Sequence, residues 1–311
     1  MILVTGEALI DLVLEYSGGV LALEGGGPYN AARTIGRLGQ PCMFLAALSA
    51  DRFGRGLRGH LGDDGVDLSA IVSTELPTTL AAAELDELGS ATYRFYLEGT
   101  AAPSLSPEVA LALVPAGVRA FHVGTLGLVL EPMATAAEAV LASLDTTVLI
   151  FVDPNCRPRV IVDSVAYRAR IRRVCQRADV VKVSEEDLEY LYPHLSADEA
   201  ATEIIADGVP VVLLSAGSQG VRVFTSQAMF AVPAPKVEVV DTIGAGDSLG
   251  GSFLAWWIAQ GYGRSELSDP ALLRRAVGFA TYVAGRTCAV AGAQPPRLAS
   301  LPAALQAEIS A

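Results

Sequence analysis

The clearest chemistry in this chain lies in residues 237–251, which read VEVVDTIGAGDSLGG. Its turn, residues 244–247 (Gly-Ala-Gly-Asp), places two glycines around one small residue, so several backbone N–H groups can face a single point. Valines over 237–240 predict an arriving strand, and the apolar run 252–260 predicts a departing helix. Because a helix N-terminus favours negative charge, the turn is predicted to hold an anion such as a phosphoryl group.

Asp247 stands at the rim of this predicted anion hole and allows two interpretations. Most aspartates that precede a helix serve only as its N-cap, and for a bare Gly-Ala-Gly-Asp turn that structural role is the more common one. A carboxylate near a helix N-terminus can also stay ionised at neutral pH and accept a hydroxyl proton late in phosphoryl transfer. The turn alone leaves both roles open.

The elements around this turn alternate between short apolar runs and helical segments. A helical pattern covers 31–39, 131–144 and 272–285. Buried strands are predicted at 1–5, 43–49, 120–124, 148–153, 178–183 and 210–215. Strands that alternate with helices at short spacing indicate an α/β fold with a mainly parallel sheet, and ligands of such sheets bind beyond the carboxyl ends of the strands. No repeat or linker interrupts the series, so 1–311 is predicted to form a single domain.

Composition excludes several classes of function. The chain has 311 residues and a net charge of −12, which argues against a nucleic-acid partner and against an anionic membrane surface. The four cysteines form no CxxC pair, and the three histidines lack metal-ligand spacing. The start of the chain has no basic leader, and no apolar run is long enough to span a bilayer. We therefore expect a cytoplasmic protein.

The longer string D-T-I-G-A-G-D, residues 241–247, resembles the D-T-x-G-A-G-D signature of the ribokinase-like sugar kinases, the PfkB family. The resemblance covers nearly the whole chain, from Gly6 to Gly292. It implies a three-layer α/β/α sandwich with a small β-sheet lid, here over about 12–22 and 78–102 with a hairpin turn near 86–90. It also implies that Asp247 is the catalytic base. The anion hole would then comprise Gly244, Ala245 and Gly246.

The same resemblance implies a sugar site built from four short motifs. These are G-E-x-x-x-D after the first strand, G-G-x-P-x-N-x-A before the first helix, the aromatic segment F-Y-L-E-G-T-A-A, and D-P-N-x-R. Their candidate sugar contacts are Asp11, Gly26, Gly27, Asn30, Tyr96, Asn155 and Arg157. Without the resemblance, Glu7 would be read as the solvated carboxylate of a turn, and residues 25–30 as a flexible loop. Leu97 stands where fructokinase-like relatives often carry arginine.

On the nucleotide side, the resemblance implies contacts from Ser184, Ser215, Gly217, Gly220, Thr242 and Gly244. Asp187 would hold Mg²⁺ through water, and Asp241 would lie near a monovalent cation such as K⁺. Local structure offers simpler roles for some of these residues. Ser184 and Asp187 also fit a capping box at a helix start, and 217–220 also fits a β-turn.

Together these features predict an ATP- and Mg²⁺-dependent kinase that phosphorylates a sugar hydroxyl. The favoured substrate is fructose, which would give fructose 6-phosphate, and the second candidate is 2-keto-3-deoxygluconate. Ribose and nucleosides are less favoured substrates. A non-catalytic sugar-binding protein is the alternative from a different class. A dinucleotide-binding oxidoreductase is disfavoured because no GxGxxG follows the first strand. By the same resemblance, two chains are expected to pair through their lids.

Overall fold

Strands and helices alternate through most of the chain. The structure is a computed structural model that describes residues 1–85, 87 and 91–309. The strands are β1 (Ile2–Thr5), β2 (Leu9–Leu14), β3 (Val20–Gly25), β4 (Cys42–Ser49), β5 (Ile71–Thr74), β6 (Leu80–Leu85), β7 (Ala91–Tyr96), β8 (Ala120–Gly124), β9 (Leu149–Asp153), β10 (Val180–Ser184), β11 (Val211–Ser215), β12 (Val221–Phe224) and β13 (Met229–Val232). The helices are α1 (Gly27–Arg37), α2 (Arg52–Asp63), α3 (Pro107–Leu113), α4 (Met133–Ser143), α5 (Ser164–Cys175), α6 (Glu185–Leu191), α7 (Ala197–Ala206), α8 (Ala245–Ala259), α9 (Pro270–Cys288) and α10 (Ala303–Ile309).

The larger sheet has the strand order β13-β12-β11-β10-β9-β8-β1-β4-β5. From β5 to β11 the neighbouring strands run parallel, whereas β12 and β13 add antiparallel pairs at one edge. The interior strand β1 pairs with β4 and β8, so Val4 lies opposite both Phe44 and His122. The carboxyl ends of the parallel strands therefore meet at one edge, as the strand–helix alternation predicts.

Helices cover both faces of this sheet because alternate strand residues point to opposite sides. On one face, Val4 and Phe44 pack in a buried cluster with Trp256 and Trp257 of α8. On the other face, Leu3 and the other strand side chains that point to this side pack against α4, α5 and α7. Each fully buried large apolar side chain contributes roughly 1.5–3 kcal/mol to folding. The predicted three-layer sandwich on a mainly parallel sheet is confirmed.

A second, smaller sheet has the order β3-β2-β6-β7. The β2–β6 pair is parallel, and the other two pairs are antiparallel. Its strands extend the segments expected from the sequence, since β2 begins at Leu9 and β3 ends at Gly25. The predicted turn at 86–90 lies, apart from residue 87, outside the described residues. The single-domain organisation over 1–311 and the role of this sheet as a lid stay predictions.

The prediction of a strand at 237–240 is wrong. The chain leaves the sheet after β13, and no strand pairs with these residues. Val239 and Val240 are 60% and 61% exposed, and the Val240 N–H donates to the carbonyl of Cys288 at 2.9 Å. Valine favours a strand only where a neighbouring strand and a buried face exist, and this position offers neither.

None of the helices within the described ranges is long and apolar enough to cross a membrane.

Candidate active site

A cavity of about 630 Å³ opens between the small sheet and the carboxyl ends of the central strands. Its wall on the small-sheet side is largely apolar and includes Leu9, Val13 and Phe95. Ten of the sequence-predicted site residues line it, namely Asp11, Gly26, Gly27, Asn30, Asn155, Arg157, Thr242, Gly244, Gly246 and Asp247. The fold thus brings together motifs that are more than 200 residues apart in the chain.

Helix α8 begins inside the glycine turn, earlier than the predicted start at residue 252. Its N-cap is Gly244, whose φ of 75° is left-handed and suits glycine. A Cβ on Gly244 would lie 2.5 Å from the Cβ of Ala293, so the turn also needs glycine for space. The first helical N–H groups follow directly and have no partner within the helix, and Gly246 and Asp247 of this turn line the cavity. Asp247 is the third residue of the helix, so the N-cap interpretation of this aspartate is wrong.

Asp247 is 9% exposed, and its carboxylate is held by Asn30. Its Oδ2 accepts a hydrogen bond from Nδ2 of Asn30 at 2.9 Å. A Cβ on Gly27 would lie 3.2 Å from its Oδ1, so this glycine leaves the carboxylate room. Burial raises the pKa of Asp247, while the Asn30 hydrogen bond and the charges of Lys182 and Arg157 counteract that rise. The arrangement fits a proton acceptor, because the carboxylate is buried, fixed and next to the cavity.

Two further carboxylates lie near Asp247. Burial raises the pKa of Asp11 to about 6, with Arg157 opposing this and Asp247 adding to it. Glu7 is only 1% exposed, which makes the interpretation as a solvated turn carboxylate wrong. Its Oε1 and Oε2 accept the N–H groups of Gly27 and Gly127 at 3.0 and 3.1 Å. Glu7 thereby joins the glycine loop before α1 to the segment after β8.

Burial also raises the pKa of Glu7 to about 8, from an ordinary value of 4.5. The folded chain therefore binds a proton at Glu7 between about pH 4.5 and 8 that the unfolded chain releases. The stability from this group is full below pH 4.5 and is lost as the pH rises through 8. We expect the stability advantage of the wild type over Glu7→Gln to shrink from pH 5 to pH 8.5, by at most about 1.4 kcal/mol per unit.

Urea unfolding at several pH values measures this difference. Glu189→Gln, at an exposed position on α6, is the control and should follow the wild type at every pH. An advantage over Glu7→Gln that stays constant across the range would contradict a shifted Glu7.

The segment after β9 is strained next to the cavity. Asn155 and Thr125, which follow the adjacent strands β9 and β8, have left-handed φ values of 37° and 52°. Such backbone is costly for residues other than glycine and is concentrated at functional sites. Nη1 of Arg157 donates to the carbonyl and side-chain oxygens of Asn155 at 3.1 and 2.6 Å. This contact holds the arginine at the cavity wall.

Lys182 and Asp153 are not among the predicted site residues, although both are buried beside the predicted anion hole. Nζ of Lys182 donates to both carboxylate oxygens of Asp153, at 2.9 and 3.2 Å, and Lys182 lines the cavity. A signal for them was present in the sequence. A lysine inside the apolar strand V-V-K-V-S must find an opposite charge, because a buried ammonium is costly without one.

The predicted nucleotide-side residues other than Thr242 and Gly244 lie at the ends of β10 and β11, outside the cavity lining. Ser184 and Asp187 form the capping box of α6, and Asp187 also accepts the Cys156 N–H at 2.6 Å. Gly217, with a φ of 53°, faces open space, whereas a Cβ on Gly220 would lie 2.1 Å from the carbonyl oxygen of Val232. Gly220 therefore has a structural reason to be glycine. Ser215 donates to the Val183 carbonyl at 3.1 Å.

Tyr96 does not line the cavity and is 54% exposed. Its neighbour Phe95 does line it, since alternate residues of β7 point to opposite faces of the small sheet. The role of Tyr96 as a sugar contact stays a prediction, and Phe95 is the aromatic side chain that this strand presents to the cavity.

Asp241 is engaged by backbone groups. Its Oδ1 accepts the N–H of Ile243 at 3.0 Å, and its Oδ2 accepts the N–H of Gly292 at 2.8 Å. The carboxylate therefore ties the segment before α8 to the segment after α9. Across the described part of the chain, no cluster of three or more His, Cys, Asp or Glu side chains could hold a metal by itself.

Comparison with known proteins places this site in a family. The model of the family described as "pfkB family carbohydrate kinase" matches residues 1–299. The chain belongs to this pfkB family. Among curated pfkB-type relatives, a fructokinase of Rhizobium leguminosarum bv. trifolii is 35% identical over 82% of this chain and 79% of its own length. Probable fructokinase-3 of Arabidopsis thaliana is 33% identical over 93% of this chain and 86% of its own length.

Solved structures agree with this assignment. A fructokinase of Xylella fastidiosa with bound ATP superposes with a TM-score of 0.85 at 25% identity, over 99% of this chain and 96% of that one. A double-mutant fructokinase of Vibrio cholerae O395 with fructose, ADP and potassium has a TM-score of 0.84 at 27% identity, over 99% of this chain and 97% of that one. An aminoimidazole riboside kinase of Salmonella enterica, complexed with aminoimidazole riboside and an ATP analogue, has a TM-score of 0.82 at 25% identity, over 99% of each chain. The ribokinase-like fold of pfkB kinases is therefore present here.

Proposed function

We propose that this pfkB-family chain is an ATP-dependent sugar kinase that converts fructose to fructose 6-phosphate. One observation carries the proposal: the Asp247 carboxylate, held by Asn30, lies in the first turn of α8 and borders a cavity that Asp11 also lines. A carboxylate such as Asp11 suits a sugar because it accepts two hydroxyl hydrogen bonds at once. The fructokinase relatives support fructose as the sugar.

The residues of the site support an in-line transfer. The hydroxyl proton of the sugar passes to Asp247, the freed oxygen bonds to the γ-phosphorus of ATP, and the bond to ADP breaks. The N–H groups that follow Gly244 stabilise the charge on the phosphoryl oxygens, usually the largest catalytic contribution. Asn30 keeps the carboxylate in place for the proton. The buried wall around the reacting atoms limits competing hydrolysis.

The donor set fits a magnesium ion that arrives with the nucleotide. Mg²⁺ prefers water and phosphate oxygens with one or two carboxylates, so a dedicated protein cage is not required. When bound, it neutralises phosphate charge. Asp187 already accepts protein N–H and O–H groups, which leaves a water-mediated contact as its proposed role. A K⁺ ion near Asp241 also stays a proposal, supported by the potassium-bound relative.

A sugar panel with ATP tests the substrate. Release of ADP should show the highest kcat/KM for fructose, compared with 2-keto-3-deoxygluconate, ribose and aminoimidazole riboside. A higher kcat/KM for 2-keto-3-deoxygluconate would make this acidic sugar the substrate in place of fructose. Arg157 at the cavity wall would then bind its carboxylate. Sugar binding without any phosphorylated product would instead indicate a non-catalytic sugar-binding protein.

We further propose that two chains pair through their small sheets. On the face that lines the cavity, Leu21 of β3 lies opposite Val13 of β2 and is 51% exposed. Val20 beside it is 66% exposed, and β3 is an edge strand with unpaired backbone groups. An apolar edge of this kind is typical of a surface that a partner covers.

The double variant Val20→Asp/Leu21→Lys should therefore convert a dimer into a monomer. Analytical ultracentrifugation measures the change, and Met229→Asp, which charges an exposed apolar position on β13 far from this sheet, is the control. A wild-type chain that sediments as a monomer at micromolar concentration would refute the pairing.

The four cysteines are free thiols. Free thiols support our proposal that the enzyme works in a reducing compartment such as the cytoplasm.

A further inference from the structure

The buried pair of Lys182 and Asp153 is unusual in this fold because a parallel strand covered on both faces normally carries apolar side chains. Lys182 is 4% exposed and Asp153 is 2% exposed, so both charges are largely removed from bulk water. Such a pair adds little net stability compared with apolar side chains of similar volume. Its presence therefore points to a role other than holding the sheet together.

The position of the ammonium indicates that role. A Cβ on Gly246 would lie 2.8 Å from Nζ of Lys182, so the ammonium lies directly against the first turn of α8. The φ of Gly246 is not left-handed, and the missing side chain is explained by the space that the ammonium occupies. Asp247 is the next residue along this turn. The bidentate contact with Asp153 fixes the ammonium at this point.

We propose that Lys182 is the electrostatic partner of the reaction's base: its ammonium, fixed by Asp153 against Gly246, stabilises the ionised form of Asp247 that accepts the sugar proton. This inference rests on the proposed kinase function with Asp247 as base. Two opposing forces make the partner necessary. Burial favours a neutral Asp247, which could not accept a proton, and a nearby positive charge opposes that preference.

Lys182 keeps its positive charge although it is buried. Burial alone would lower the pKa of Lys182, but Asp153, Asp187 and Asp247 together raise it above its ordinary value. His122, which is also near this lysine, is kept neutral because burial and the lysine charge lower its pKa to about 3. The lysine is therefore the permanent cation of this buried cluster.

Several other groups also act on Asp247 from the elements around it. Asn30 on α1 donates a hydrogen bond to it. The charged and titratable groups that face it are Glu7 after β1, Asp11 on β2, Asp153 on β9, Arg157 after β9 and Lys182 on β10. Lys182 and Arg157 favour the ionised carboxylate, and the three acids oppose it.

The test is the pH dependence of kcat for sugar phosphorylation, with both substrates saturating. In Lys182→Met, which keeps length but removes charge, the acidic limb should move to higher pH by about one unit. In Asp153→Asn, which keeps the ammonium but removes its counter-charge, the limb should move to lower pH. Glu7→Gln and Asp11→Asn identify the group whose titration produces the acidic limb. If the limb persists in both variants, that group is Asp247.

The proposal predicts that the acidic limb moves in opposite directions in Lys182→Met and Asp153→Asn. A general loss of packing would not produce opposite displacements. Arg264→Met is the matched control: it breaks the pair with buried Asp179 at the other end of β10, and should lower stability without moving the limb. If Lys182→Met does not fold, Lys182→Gln removes the same charge with a side chain that can still donate a hydrogen bond to Asp153, and its displacement decides.

A limb that stays in place in the variants that fold, or that moves in the same direction in both, overturns the proposal. Failure of the kinase proposal is separate. It would appear as no phosphorylated product from the wild type, and failure of Asp247 as the base would appear as full turnover in Asp247→Asn. Failure of this inference leaves Asp247→Asn inactive and the Lys182→Met and Asp153→Asn profiles unmoved.

Discussion

Asp247→Asn is expected to lower kcat for sugar phosphorylation by about 10²–10⁴-fold while sugar binding is largely kept. Asparagine has nearly the same shape and can still interact with Asn30, but it cannot take a proton from the sugar hydroxyl. The loss should therefore appear in the chemical step. Steady-state ADP release gives kcat, and calorimetric titration with fructose gives the dissociation constant.

Asp269→Asn is the matched control for this change. Asp269 caps α9 through the N–H of Ala271 at 2.8 Å, on the surface and away from the cavity. Asparagine is an equally good N-cap, so turnover should match the wild type. Near-normal turnover in Asp247→Asn would remove this carboxylate from the mechanism, and equal losses in both variants would point to a general effect on folding.

Gly244→Ala is expected to lower kcat by about 10²–10³-fold, the cost of losing a donor of an anion hole. The added methyl would lie 2.5 Å from the Cβ of Ala293, and the φ of 75° disfavours alanine. Both effects push the turn away from its position, so the first N–H groups of α8 no longer converge on one point. The measurement is kcat at saturating fructose and ATP, with thermal unfolding in parallel.

Gly261→Ala separates backbone strain from the anion hole. Gly261 follows the other end of α8 with a φ of 78°, but nothing lies within 4 Å of an added Cβ. It therefore carries the same backbone cost of roughly 1–2 kcal/mol without a clash. Lower stability with unchanged kcat is expected. If Gly244→Ala also keeps its kcat, the N–H groups of this turn do not stabilise the transferred group.

The sequence predicted the fold well because its signals are local. Alternating apolar runs and helical periods placed the strands of the mainly parallel sheet, and the family resemblance supplied the three-layer arrangement. The error at 237–240 has the opposite origin. Val239 and Val240 favour a strand by residue type, but no neighbouring strand is there to pair with them.

The candidate site was predictable where a motif carries its own geometry. Gly244 lies in a turn whose backbone requires glycine, with a φ of 75°, so the spacing of the glycines pointed to it, whereas Gly26, with a φ of 110°, was predicted through the family resemblance. The strand β7 carried no such constraint on which aromatic faces inward. The alternation of its side chains, set by pairing with β6, turned Phe95 to the cavity and left Tyr96 outside.

By itself, the amino-acid sequence determined the local chemistry: a glycine turn with an acid at its end, and acids and amides placed after predicted strands. Only the tertiary structure decided the electrostatics. Glu7 became a buried acid, and Lys182 met Asp153 across neighbouring strands and came to lie against Gly246. The reason is physical: turn geometry depends on adjacent residues, whereas the charge state of a group depends on what the whole fold packs around it.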